Sequence, residues 1–353
     1  MNSTSSPPSQ ASRPLLVRFG AFVDMVLLTP LIRQLAARFD SPVDLLSSGP
    51  WTLPLLQGQP GVGDIMIVGS RRRTYWLSPD QHRAVRWLRA RGAGPAWFAD
   101  ANAVGRGLLS RAGFADEWIV DADNCPRRTG EHTLQRWWRF AAQTPSALAA
   151  TYPPVLTNAL PGCQIEVSEA QRVAMTEWLQ RRGLDGRRLL LIQAGNKRTM
   201  RSGRRRRATN TKYWPEENWA AVIRGMRDSH PAHALVLLGT GHEVSYNRDI
   251  MRRTGVADIH NVADDLPIPR LLALLQHADS LLSVDSGPAH VAAAVGCPVV
   301  DLFGRASVDE YRPWGAAGTD VKCLTGSIDG QPDMGGIRVS TVLDAWRSLR
   351  PRQ

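Results

Sequence analysis

Residues 278–304 read ADSLLSVDSGPAHVAAAVGCPVVDLFG. Leu281, Leu282, Ser283 and Val284 predict a buried strand, and Asp285, Ser286 and Gly287 a sharp turn. A helix follows, opened by Pro288 and closed by Gly296, which is the chemistry expected at the two ends of a helix. A second apolar strand runs from Val299 to Phe303. Strand, turn, helix and strand in this order form the unit of a parallel sheet covered on its faces. A helix N-terminus at the carboxyl end of such a strand offers unpaired N–H groups and a partial positive charge, which suits a phosphate. The stretch therefore predicts a fold class and a nucleotide site together. The plainer alternative is an ordinary strand–turn–helix with Asp285 as a cap.

The same alternation extends backwards through the chain. Residues 15–19 (LLVRF) predict a first strand, a short loop over 20–23, and then a helix with Val26, Leu27, Pro30, Leu31 and Leu35 at helical spacing. Asp24 opens that helix, either as a first-turn acid or as a carboxylate presented at a strand end. Strands are predicted within 43–46, 61–68, 96–101 and 119–121. The loop after the first strand lacks a GxGxxG, which argues against a nicotinamide-dependent dehydrogenase. Helix 132–143 carries adjacent Trp137 and Trp138, read as packing rather than as base-stacking residues. Residues 151–161 (TYPPVLTNALP) form a proline-punctuated linker.

Beyond the linker, Ser168 with Gln171 makes a capping box for a helix to 183, and 188–193 (RLLLIQ) starts a second array. Next come a very basic, glycine-containing tract over 194–210 and TKYWPEENWAAVIRGM, whose Pro215 and Glu216 open a helix with Trp219, Val222, Ile223 and Met226 on its apolar face. A strand over 234–238 runs into Gly239-Thr240-Gly241-His242-Glu243, a second turn able to meet a ribose or phosphate. Residues 259–262 predict a strand and 268–277 a helix. Residues 319–336 read as loop, and 339–349 as a terminal helix. The expected fold class is α/β: two doubly wound Rossmann-like domains with a cleft between them. The expected domains are a disordered tail over 1–13, an N-terminal domain over 14–160 and a C-terminal domain over 161–336. The terminal helix, 337–353, is free to pack back on the first domain.

Composition fits two domains in 353 residues, 43% hydrophobic and 21% charged. No apolar run approaches the ~20 residues that cross a bilayer, and the Ser/Pro-rich start does not read as a secretory signal. Cys125, Cys163, Cys297 and Cys323 are scattered, without a CxxC or clustered histidines. That argues against a zinc site or disulfide framework and fits a reducing cytoplasm. The net charge of +11 implies an anionic partner without identifying it.

Four stretches, RFGAFVDMVLLTPLIRQL, TKYWPEENWAAVI, LLGTGHE and SVDSGPAHVAAAVGCPVVDLFG with the following YRPWG, together resemble glycosyltransferase family 9, the lipopolysaccharide heptosyltransferases. The likeness runs in order over residues 15–315. It implies a GT-B fold of two facing Rossmann-like domains, the first taking the acceptor and the second the sugar nucleotide, usually ADP-heptose. Carried over residue by residue, Asp24 takes the place of the catalytic base and Lys212 that of the lysine holding the diphosphate. Asp285, Ser286, Gly287 and His290 match the D-[ST]-G-x-x-H segment around the nucleotide, and Glu243 the ribose-binding acid. Two departures stand out: Phe22-Val23 replaces the usual Leu-Gly before the base, and the tract 197–207 is longer and more basic than in the family.

Sugar transfer needs a deprotonated acceptor hydroxyl and a stabilised diphosphate leaving group. Asp24 suits the first need, and Lys212 with the N–H groups of Ser286 and Gly287 the second. No Asp-x-Asp metal motif stands out, and a metal-independent, inverting and cofactor-free reaction is expected, as the resemblance also implies. Without the resemblance, Lys212 reads as a solvated lysine and His290 as a satisfied core histidine. Arg204, Arg205, Arg206 and Arg207 are expected to grip an anionic lipid-linked acceptor or the inner membrane face, making the protein cytoplasmic and peripheral. Two other classes remain: a GT-B enzyme with another sugar or reaction, such as an epimerase, and a basic nucleic-acid-binding protein, in which Asp24 would have no task.

Overall fold

The computed structural model describes residues 13–69, 73–153, 160–196, 210 and 212–352. The chain divides into two compact units, Met1–Leu160 and Pro161–Gln353. Each is built on its own parallel sheet.

In the first unit, β1 (Leu15–Arg18), β2 (Val43–Ser47), β3 (Val62–Ile67), β4 (Ala96–Phe98) and β5 (Ile119–Asp121) lie in the order β3-β2-β1-β4-β5. Every pairing is parallel. Leu15, Leu16 and Val17 are all but fully buried, as expected of a central strand covered on both faces. The helix Thr133–Ala142 turns Trp137 and Phe140 inward, so the tryptophan expected to pack does pack.

In the second unit, β6 (Leu189–Gln193), β7 (Ala234–Leu237), β8 (Ile259–Asn261), β9 (Ser280–Val284), β10 (Val299–Phe303) and β11 (Val321–Thr325) lie in the order β11-β10-β9-β6-β7-β8. These pairings too are parallel. Strand order that runs outward from the first strand in both directions is the doubly wound, Rossmann-like arrangement. The stretch over 278–304 forms β9, the helix Gly287–Ala294 and β10, with Gly296 at φ 79° just beyond the helix. The capping box of Ser168 with Gln171 opens the helix Glu169–Arg181 as expected.

Two expectations need correction. Residues 319–336 are not simply loop: Val321–Thr325 forms the edge strand β11 along β10. The helices Ala103–Ala112 and Val244–Thr254 were not expected. The second buries Tyr246, Asn247, Ile250 and Thr254, a stripe at helical spacing, but one half polar and therefore faint to a hydrophobicity pattern. The terminal helix Val339–Arg347 places Val342 and Trp346 in the core around Trp214 and Trp219, so its apolar face is occupied within the second unit. No helix among the described residues is long and apolar enough to cross a membrane.

Candidate functional site

In an open parallel sheet, ligands meet the carboxyl ends of the strands where the winding reverses. In the second unit that point lies between β6 and β9. Gln193, the last residue of β6, is in register with Ser283 of β9. Past β9, the chain turns through Asp285 and Ser286 into the helix that starts at Gly287. Ser286 is the N-cap residue, and its hydroxyl lies 2.9 Å from that of Ser283 rather than on a backbone N–H. The first-turn N–H groups of the helix are thus left for a ligand.

Lys212 reaches this turn through buried aromatic anchors. In the motif Lys212-Tyr213-Trp214-Pro215, Trp214 is fully buried, donates its indole N–H to Ile337 O at 3.0 Å and stands edge-on to Trp219 at 4.9 Å. Tyr213 hydrogen-bonds Glu216 at the start of the next helix. The Lys212 N–H donates to Asn210 Oδ1 at 3.1 Å, and Asn196, just past β6, donates to Lys212 O at 3.3 Å. So fixed, the ammonium forms an ion pair with the buried carboxylate of Asp285. The structure thus brings together Lys212, Asp285, Ser286 and Gly287. His290 is buried in the same helix, 2% exposed.

Glu243 lies at the carboxyl end of β7 and is turned inward. Oε2 accepts from the Thr240 N–H at 2.8 Å and hydroxyl at 3.0 Å, and Oε1 from Gln193 Nε2 at 3.0 Å. A Cβ at Gly195 would stand 2.6 Å from Oε1. Burial raises its pKa, against the lowering effect of the bonds from Thr240 and Gln193. The side chain clasps the turn Gly239-Thr240-Gly241 to the end of β6.

In the first unit the winding reverses between β1 and β4, and Asp24 sits there, in the first turn of the helix Phe22–Leu27. Oδ1 accepts from Arg18 Nη2 at 2.6 Å and Oδ2 from the Ala21 N–H at 2.6 Å. Arg18 is itself held by Ala99 O at 2.7 Å and lies over the Trp137 ring at 5.3 Å. Gly20 is required here: a Cβ would lie 2.5 Å from the Cβ of Asp24. Asp100, after β4, accepts from the Phe19 N–H at 2.6 Å and fixes the loop that presents Asp24.

Sequence reasoning missed Arg18, Asp100, Gln193 and Asn196, which position the others. The only signal they gave was a polar residue at or just past a strand end. It also missed Asp301, in the middle of β10, in register with Ser283 on one side and Cys323 on the other. Asp301 is fully buried and neither carboxylate oxygen has a hydrogen-bond partner among the described residues. Burial, and then the nearby charge of Asp285, push its pKa well up, with Lys212 pulling the other way. Arg204–Arg207 lie outside the described residues.

Residues 111–328 match the family Glycosyltransferase family 9 (heptosyltransferase), more than half of the chain. The chain belongs to glycosyltransferase family 9. Its curated relatives include the lipopolysaccharide heptosyltransferase 3 of Escherichia coli, 32% identical over 106 residues, 29% of this chain. The match spans 30% of that relative's length. Among solved structures, the family 9 glycosyl transferase from Veillonella parvula DSM 2008 superposes with a TM-score of 0.77 at 16% identity, covering 96% of this chain and 97% of its own. The E. coli ADP-heptose lps heptosyltransferase II gives 0.73 at 18% identity, covering 95% of this chain and 98% of its own. At such identities these likenesses speak to the fold, which is the GT-B fold of this family.

Proposed function

We propose that this family 9 member is an inverting glycosyltransferase that moves a sugar from a nucleoside diphosphate sugar onto a lipopolysaccharide-core or related glycan acceptor, without a metal. The observation that carries the reading is the Lys212–Asp285 ion pair at the head of the helix Gly287–Ala294. A diphosphate at that turn would meet the helix N-terminus and offer Lys212 a doubly charged alternative to Asp285. ADP-heptose is the expected donor, since one structural neighbour is an ADP-heptose enzyme.

In the proposed reaction, Asp24 takes the proton of the acceptor hydroxyl, whose oxygen attacks the anomeric carbon as the bond to the diphosphate oxygen breaks. A single displacement inverts that carbon. The leaving diphosphate gathers charge, which Lys212 and the N–H groups at Ser286 and Gly287 stabilise, each well-aimed donor by about 3 kcal/mol. Arg18 and the Ala21 N–H hold the carboxylate of Asp24 in one orientation, which limits the entropy lost on reaching the acceptor. His290 and Glu243 shape the donor pocket, the latter through the turn it clasps.

Arg204–Arg207 would supply the contact with an anionic lipid-linked acceptor or the cytoplasmic face of the inner membrane, each worth roughly 1 kcal/mol. Thermal-shift titration with ADP, UDP and GDP tests the donor: stabilisation by ADP alone is expected. Stabilisation by UDP alone would leave a glycosyltransferase fold with a different sugar nucleotide.

A further inference from the structure

The amino ends of the second unit's strands, opposite the nucleotide turn, enclose a depression of about 350 Å³. Arg188 leads into β6, His233 into β7, and Ala278 and Asp279 into β9. His230 and His277 lie at the ends of two helices, and Trp346 and residues 347–352 close the wall from the C-terminus. Among the described residues the lining carries Arg188, Arg347, Arg350 and Arg352 against one acid, Asp279.

The floor and the rim differ. Trp346 is buried, edge-on to His230 at 5.0 Å, and its indole N–H is used on Ser280 Oγ at 3.0 Å. His230 stands edge-on to His233 at 4.8 Å, and its Nδ1 is buried without a hydrogen-bond partner among the described residues. Arg352 caps two helix ends, donating to Gly296 O at 2.9 Å and Leu275 O at 3.2 Å as well as to Gln276 O. Arg188 gives Nε and Nη2 to Asp279 at 3.0 and 2.9 Å. The Arg350 guanidinium stands 3.7 Å from Asp320, which accepts the Arg350 main-chain N–H at 2.8 Å, and that of Arg347 stands 3.8 Å from Asp344 and gives Nε to Ser229 Oγ at 3.2 Å. The side chains of Arg188 and Arg350 are 67% and 72% exposed. Burial lowers the pKa of His233 despite Asp279 beside it, and four arginines of the lining carry positive charge.

We propose that this depression is an anion site of the second unit, separate from the donor turn, which binds a soluble phosphorylated small molecule between the Arg188 and Arg350 guanidiniums with His230 at its floor. Forked guanidinium donors match phosphate oxygens in pairs, and the volume suits a small ligand rather than a polymer. The inference does not depend on the donor reading.

The histidines provide the test. The chain has eight; His230, His233 and His277 line the depression, and His290 lies in the helix at the donor turn. The full-length protein, labelled at histidine Cε1, is titrated with inorganic pyrophosphate and followed by NMR. Saturable movement of the three lining signals is expected, with a midpoint weakened about a hundredfold in the double variant Arg188→Ser/Arg350→Ser, at about tenfold per charge-assisted contact. Movement confined to His290 or His242 would overturn the proposal. A parallel arm measures co-sedimentation with phosphatidylglycerol vesicles. If the double variant loses vesicle binding while pyrophosphate leaves the three signals still, the surface serves a lipid headgroup and the proposal fails.

Discussion

Asp24 and Asp301 show how differently a carboxylate can be used at the two sheets. Asp24 keeps its orientation through Arg18, the Ala21 N–H and the absence of a side chain at Gly20. Asp24→Asn keeps the shape and loses the base, so turnover should fall by on the order of 10²–10⁴-fold while ADP binding stays the same. Full turnover in that variant would remove Asp24 from the reaction. Asp301 is fully buried beside the charge of Asp285, and both push its pKa well above the usual carboxylate value in the folded state. Unfolded, it would ionise near its ordinary value of 3.8. Between that value and the raised folded value the native state binds one more proton than the unfolded state, so stability contributed at this site falls as pH rises. Against Asp301→Asn, the wild type should lose up to about 1.4 kcal/mol per pH unit above roughly pH 4. The same pH dependence of stability in the two proteins above pH 4 would contradict this. Nothing in the pattern VVDLF distinguishes Asp301 from an exposed residue on a half-buried strand; only its burial on both faces does.

Elements were legible where apolar periodicity and terminus chemistry agreed. The segment over 278–304 supplied continuous apolar runs bounded by Pro288 and Gly296, and Ser168 with Gln171 supplied the terminus chemistry. Strand β11 supplied neither: VKCLT sits at a sheet edge, partly exposed, and its alternation is broken at Leu324 and Thr325. The family resemblance, not their place in the chain, singled out Lys212 and His290, and the aromatic anchors behind Lys212 had to be seen in space. Trp214 ties that lysine to Ile337, 123 positions away. Trp214→Ala should cost about 3–5 kcal/mol and weaken nucleotide binding more than the stability loss alone explains. Chemical denaturation together with ADP titration below the transition separates the two effects. Gly315, in the YRPWG stretch, meets a related constraint: a Cβ there would come within 2.0 Å of Ala293 O, at the end of the helix that starts at Gly287. Gly315→Ala should therefore destabilise by about 1–3 kcal/mol, read as a lowered denaturation midpoint with an unchanged slope.

At the scale of the whole molecule, the chain separates into two units with their own sheets and cores. All residues proposed for the donor, Lys212, Glu243, Asp285, Ser286, Gly287 and His290, fall in the second unit, which also holds the terminal helix and its buried Trp346. If the donor pocket is complete within that unit, residues 161–353 alone should fold cooperatively and bind ADP. A ligand at 100 times its Kd stabilises by about 2.7 kcal/mol. For a fragment of this size that is about 5–10 °C in Tm. Lys212→Ala in the fragment should abolish most of the shift, whereas Asp24 is not present to matter. A full-length chain that responds to ADP beside a folded fragment that does not would place part of the donor contact in residues 1–160, and the assignment of the nucleotide to the second unit would fail.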